Sequence, residues 1–364
     1  MQIKSYLTSL LFASITYTMY AQDTTRAKEK FKPSGKLWGY VFGDYYYKLQ
    51  ADSLGRGTGE YSNMKENANA FEFRRIYLGY DYQISEKISA ELLLSHEKNY
   101  DANSNRTVFI KSANVRWKNI IPKNDLIIGQ SATPTWGFVS EKVWGYRSVE
   151  KTVTDFHKAG NSNDVGIALQ GKIDSAGNFG YNLMAGNGTG SEIEGDVFKK
   201  IYGEVYAKFF KQKLIVDLYG DFERSQLSPY RIDKSTYKVF LAYQGEKITI
   251  GAEGYYQLVD AFSNYQYDVT HYGSALFSKI TFWKDKFVLI LRKDFYMYNP
   301  SLSTLYRNSE DFFLAGIDYM PNKNVHILPN VWFNSYFTEN PALPVKERRD
   351  NDLVARITFY YIFK

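Results

Sequence analysis

Very little in this chain of 364 residues could do covalent chemistry. It has no Cys and only four His, at 96, 157, 271 and 326, none spaced i, i+3 or i+4 from another. Thiol catalysis, iron–sulfur centres and Cys-ligated zinc are excluded, and no His-based metal site is expected. Ser95, His96 and Glu97 are adjacent, so on a strand they point to alternate faces and make no triad by themselves. Gly55-Arg56-Gly57-Thr58-Gly59 and Gly186-Asn187-Gly188-Thr189-Gly190 lack the Gly-Lys-Ser/Thr of a phosphate loop and read as flexible loops. No catalytic residue, cofactor or metal is expected, and the chain reads as a non-enzyme. What remains is charge and aromatic rings. Residues 134–162 carry Lys142, Trp144, Tyr146, Arg147 and Lys151 among Glu141, Glu150 and Asp155. Such a segment inside an aqueous lumen would narrow it with rings and set the field with charge. Lying over the mouth instead, it would do neither.

Those side chains need a frame, and the sequence supplies a rhythm for one. Residues 1–21 (MQIKSYLTSLLFASITYTMYA) put one cation before an apolar stretch and a small residue at the end, the layout of a secretory signal peptide. Residues 22–35 are polar and read as a periplasmic tail. From there to residue 364, sixteen segments alternate apolar and polar side chains. They are 36–48, 70–83, 87–99, 106–118, 124–133, 163–173, 179–187, 198–210, 212–225, 235–244, 246–258, 270–282, 285–297, 310–320, 325–337 and 350–364. Short and mostly long gaps take turns between them, and 134–162 is the longest. Tight turns at one end and long loops at the other belong to an up-and-down antiparallel barrel in an outer membrane. The expected fold is therefore all-β: a sixteen-stranded transmembrane barrel over 36–364, with its third long loop folded inward.

The faces agree with lipid outside and water inside. In 350–364, Leu353, Ala355, Ile357, Phe359, Tyr361 and Phe363 share one face, and Asp352, Arg356 and Thr358 lie on the other. A Lys or Arg facing lipid at mid-depth costs about 2–4 kcal/mol, so alternation should be strict. It fails in 106–118, where Lys111 falls on the face of Phe109, Ala113, Val115 and Trp117. A bulge, or a different boundary, is expected there. The inward face collects about ten cations and thirteen acids on this reading, a mixed wall. Arg75, Arg292 and Arg356 sit mid-strand, and with Arg147 they would select anions only by converging at one height.

Several stretches carry a resemblance: Phe71-Glu72-Phe73-Arg74-Arg75-Ile76-Tyr77-Leu78-Gly79-Tyr80, Gly129-Gln130-Ser131 with Pro134, Trp144-Gly145-Tyr146-Arg147-Ser148 to Asp155, Asp164-Val165-Gly166, and Asn187-Gly188. Over most of its length the chain resembles the phosphate-selective porin O and P family in the form common in the Bacteroidetes. The resemblance implies a homotrimeric diffusion channel in the outer membrane with an inward loop. Its partners would be outer-membrane lipid, small anionic or neutral solutes and, during biogenesis, the barrel-assembly machinery. Phosphate selectivity does not follow, because the mixed wall lacks the family's ladder of Arg and cluster of Lys. Two other readings stay open: a plugged barrel serving adhesion or secretion, and an outer-membrane hydrolase. Interleaved acids and bases exclude a nucleic-acid groove.

Overall fold

The computed structural model describes residues 31–97, 100–227, 230–262, 267–301, 306–340 and 347–364. The expected signal peptide lies outside the described residues. One compact unit begins at Pro33. In it, sixteen strands form a closed barrel in which every strand pairs antiparallel with its sequence neighbours and the last closes on the first. They are β1 (Ser34–Gln50), β2 (Asn69–Gln83), β3 (Ile88–His96), β4 (Phe109–Ile121), β5 (Asn124–Ala132), β6 (Asn163–Lys172), β7 (Phe179–Gly186) and β8 (Lys200–Phe209). Then follow β9 (Leu214–Leu227), β10 (Tyr230–Gln244), β11 (Ile248–Phe262), β12 (Val269–Phe282), β13 (Phe287–Pro300), β14 (Arg307–Asn322), β15 (Val325–Glu339) and β16 (Glu347–Phe363). Between β5 and β6 run two short helices, α1 (Ser140–Trp144) and α2 (Val153–Phe156).

Each segment expected to be a strand is one. The largest boundary difference is at 226–234, expected as a loop. There β9 runs on to Leu227 and β10 starts at Tyr230, and these two residues pair across the ladder. Hydrophobic alternation marks only the part of a strand that faces lipid, whereas the hydrogen-bond ladder continues past it into polar sequence. Arg224 and Asp233 brace this extension across the ladder with bonds of 2.9 and 2.8 Å.

The outward face is largely apolar as expected, with Ile128, Ile167, Val205, Leu218, Leu241, Ile250, Leu276 and Ile357 exposed on β5, β6, β8 to β12 and β16. Two bulges keep Lys111 and Arg74 off it. Opposite β3, the β4 register skips Lys111: Leu93 faces Ser112 and Leu94 faces Ile110. Lys111 turns inward to Glu97 and Ser162. In β2 the register skips Arg74: Phe42 faces Arg75 and Gly43 faces Phe73. Both arginines are thereby buried on the inner side. An extra residue in one strand lets two neighbours share a face, which avoids the cost of a cation in lipid.

The inner face is not charged all the way round. On β10 to β16 it also carries Phe240, Phe277, Ile290, Phe312, Leu314, Trp332 and Val354, packed with Val139, Val143, Trp144 and Val149 of the loop 133–162. This half of the barrel has an apolar core like that of a soluble protein. It seats the loop and shields both partners from water.

Candidate functional site

The candidate site is the space the inward loop leaves open. Loop 133–162 starts and ends beside β5 and β6 and crosses to the far wall. α1 stops at Gly145, whose left-handed φ of 69° lets its N–H return to the Glu141 carbonyl at 2.8 Å. Beyond that turn the backbone is gripped by side chains of the wall. Arg74 donates to the Ser148 carbonyl, Arg356 to Val149 (3.0 Å) and Arg292 to Lys151. The loop's own Trp144 indole N–H donates to the Glu150 carbonyl at 2.7 Å. Four successive carbonyls, 148 to 151, are thus satisfied without water, as burial demands. Lys279 donates to the Val143 carbonyl. Glu253 accepts from the Thr154 N–H at 3.1 Å, and Gln257 donates to the Ala159 carbonyl at 2.7 Å.

The eight residues singled out in the sequence fall into three groups. Trp144, Arg292 and Arg356 hold the loop. Trp144 is buried with its ring 5.0 Å from Phe277 and the Arg292 guanidinium 5.1 Å from it. Arg292 also pairs with Asp294, and Arg356 takes Asn330 Oδ1 at 2.8 Å. Lys151 joins this group through its backbone, and Tyr146 through a 3.0 Å bond to Asp318. The second group is ion-paired: Arg147 bridges Glu141 (2.9 Å) and Asp155, and Arg75 reaches Glu60 at 2.9 Å and Glu97 at 3.5 Å. Burial alone would raise the Asp155 carboxyl, but Arg147 and Lys151 beside it hold it below its ordinary value. Lys142 forms the third group by itself. Its ammonium lies 5.4 Å over the Phe138 ring and makes no ion pair among the described residues. Burial and then the like charges of Lys208 and Arg116 push its pKa down, against the pull of Glu204.

Lys142 stands where two cavities meet. One, of about 840 Å³, opens at the short-turn end of the barrel and the other, of about 570 Å³, lies between α1 and the wall of β1 to β6. Arg116, Phe138, Lys142 and Gln170 line both. The larger cavity is lined by Arg116, Lys118, Lys123, Lys142, Lys172 and Lys208 against Asp125 and Asp174. Arg116 is neutralised by Asp125 at 3.0 Å, which leaves five lysines to one carboxylate. The mixed tally of the sequence therefore does not describe what a solute would meet. Nine of its thirteen wall acids, Asp44, Asp164, Glu204, Asp217, Asp221, Glu253, Asp294, Asp318 and Asp352, are buried in internal pairs and hydrogen bonds.

Sequence reasoning missed Arg74, although two successive arginines in a membrane strand were the available signal for a bulge. It also missed the first long loop, 51–68, which enters the barrel too. Tyr61 is fully buried, its ring 4.3 Å from Tyr46 and its hydroxyl 2.6 Å from Asp44. The glycines at 57 and 59, read as loop flexibility, instead press against Tyr336 and Trp332. A Cβ on Gly57 would sit 2.0 Å from the Tyr336 hydroxyl.

No family model matches the sequence, and no curated protein is similar to it. Solved structures do resemble the fold. The outer-membrane channel DcaP of Acinetobacter baumannii superposes with a TM-score of 0.65 at 13% identity, over 92% of this chain and 99% of that one. An anion-selective porin from Comamonas acidovorans gives 0.64 at 12% identity, over 91% and 100%. OmpT of Vibrio cholerae gives 0.63 at 13%, over 92% and 100%. At these identities the likeness is one of fold. The barrel has the architecture of outer-membrane porins.

Proposed function

We propose that this chain is a passive outer-membrane porin of the phosphate-selective O and P type, admitting small hydrophilic solutes with a preference for anions. The carrying observation is the short-turn cavity, where five lysines face one unpaired carboxylate. Low-dielectric walls focus such a field and raise the local concentration of anions. The fold it shares with a Comamonas porin described as anion-selective supports the reading. In this reading residues 1–21 are removed on export, 22–35 lie in the periplasm, and both termini and the short turns face that side. The barrel at 36–364 sits in lipid as a homotrimer, with 134–162 as its constriction loop and Lys142, Arg147 and Lys151 facing the solute. Arg292 and Arg356 act on the solute through the loop they position, and Arg75 acts from the wall, where it pairs with Glu60 and Glu97. No covalent step is involved.

The packed half of the interior favours one rival, a plugged barrel that serves adhesion or secretion as a scaffold. Planar-bilayer recording separates the two. Under a tenfold KCl gradient the purified protein should conduct with a reversal potential on the chloride side. Phosphate added at millimolar concentration should reduce the current if the family's selectivity holds. Conductance without ion preference would defeat the anion assignment, and no conductance would defeat the porin reading in favour of the plugged barrel.

A further inference from the structure

The smaller cavity has a chemistry that a simple anion filter does not need. One side is a connected aromatic surface. The Tyr40 ring lies 4.5 Å from Tyr77, 6.0 Å from Tyr360 and 6.3 Å from Phe42, the last within 5° of parallel. All four line the cavity. Also at its walls are Lys142, unpaired among the described residues, the Asp125-paired Arg116, and the acids Glu91 and Glu141, Glu141 being paired with Arg147. A bare phosphate or chloride gains nothing from the rings. A sugar would stack on them too, and Asn114, Ser131 and Gln170 could meet its hydroxyls, so the test must set an aromatic acid against a sugar acid of the same charge. The combination suits a flat apolar body with a negative charge at one edge: the ring lies offset on the tyrosines and the charge reaches Lys142. At about 570 Å³ the space holds one such molecule with water to spare. The short-turn cavity continues the path from Lys142 to Lys172 and Lys208, so an anion held there has a cationic way onward.

We propose that this cavity is a transient binding site for small aromatic carboxylates, which the channel conducts in preference to aliphatic acids of the same charge. The proposal rests on the porin reading above. Its test is the chloride current through single channels with benzoate, acetate, glucuronate or benzyl alcohol added to one side. Benzoate should interrupt the current at about a tenfold lower concentration than acetate or glucuronate, a difference typical of one well-placed ring contact, and benzyl alcohol should not interrupt it. Tyr40→Leu should abolish the benzoate advantage while chloride still flows, and Lys142→Gln should weaken block by benzoate and by acetate alike. Should Tyr40→Leu fail to fold, seen as loss of heat-modifiable migration in gels, Tyr360→Leu takes its place, its ring being only partly buried. Equal block by benzoate and acetate, or by benzoate and glucuronate, with normal chloride current would overturn the inference and leave the porin reading standing. Block by benzyl alcohol equal to that by benzoate would overturn the role of the charge. Absence of any current would overturn the porin reading, and this inference with it.

Discussion

Replacing Arg356 with Met tests whether the wall arginines set the aperture. The substitution keeps a long apolar stem and removes two hydrogen bonds, to the Val149 carbonyl (3.0 Å) and to Asn330 Oδ1 (2.8 Å). Arg356 has no carboxylate partner among the described residues, so no buried acid is orphaned. This makes it a cleaner probe than Arg74 or Arg292, which pair with Asp44 and Asp294. A hydrogen bond to a charged donor contributes about 1.5–3 kcal/mol. Only the Val149 bond joins loop to wall, so docking should weaken by about 2 kcal/mol and the undocked population rise about 30-fold. From a docking free energy of about 4 kcal/mol, that takes the undocked fraction from about 0.1% to about 3%, visible as brief large-conductance events. Adding Trp144→Ala removes the ring seated on Phe277, a further loss of about 3–5 kcal/mol, and should make the open level dominant. Single-channel recording reads the levels, and heat-modifiable gel migration confirms that the barrel is closed. If the folded double variant shows the wild-type conductance and noise, the loop is not held by this clasp.

Two further outcomes follow from the geometry. Lys142→Gln removes a cation that both cavities share and that is unpaired among the described residues, and the reversal potential under a KCl gradient should move toward zero with the unitary conductance nearly unchanged. The loop's His157 is stacked on Tyr296 at 3.8 Å and packed against Phe156, near Arg292 and His271. Burial first and those two neighbours next hold its pKa well below the usual histidine value. A depressed base stays neutral when docked and takes up a proton when released. Its contribution is therefore full above a pH of about 6.5 and falls away as the medium is acidified below it. Open-channel noise should rise between pH 7.5 and pH 5 (roughly the window set by the ordinary histidine value), and His157→Gln should flatten that rise.

The barrel was legible because lipid imposes a rule on every strand at once. Leu218 and Asp217 cannot exchange faces without a charge entering hydrocarbon, so face and strand could be read from residue type. Lys111 broke the rule, and the break marked the bulge. The interior obeys no comparable local rule. Nothing in the residues around Asp44 says that Arg74, Tyr61 and Thr358 will close on it from three distant segments. The acids of the wall were therefore counted as if a solute would meet them, although most are consumed internally. Lys142 could be named as a candidate from its loop, but its isolation depends on which carboxylates the fold places elsewhere.

The clasp also bears on the order in which the molecule can be completed. Val149 lies 207 positions before the arginine that holds it, and Glu150 lies 182 before Trp332. A growing barrel that has laid down β5 and β6 has no seat to offer the segment between them, because that seat is built from the last strands to arrive. Contacts so far apart in sequence form late, since a long chain must be closed before any of them is made. An incomplete barrel should consequently be wide and leaky, and the narrow aperture should appear only when β16 zips onto β1. Closure of the wall and closure of the gap across it would then be a single event.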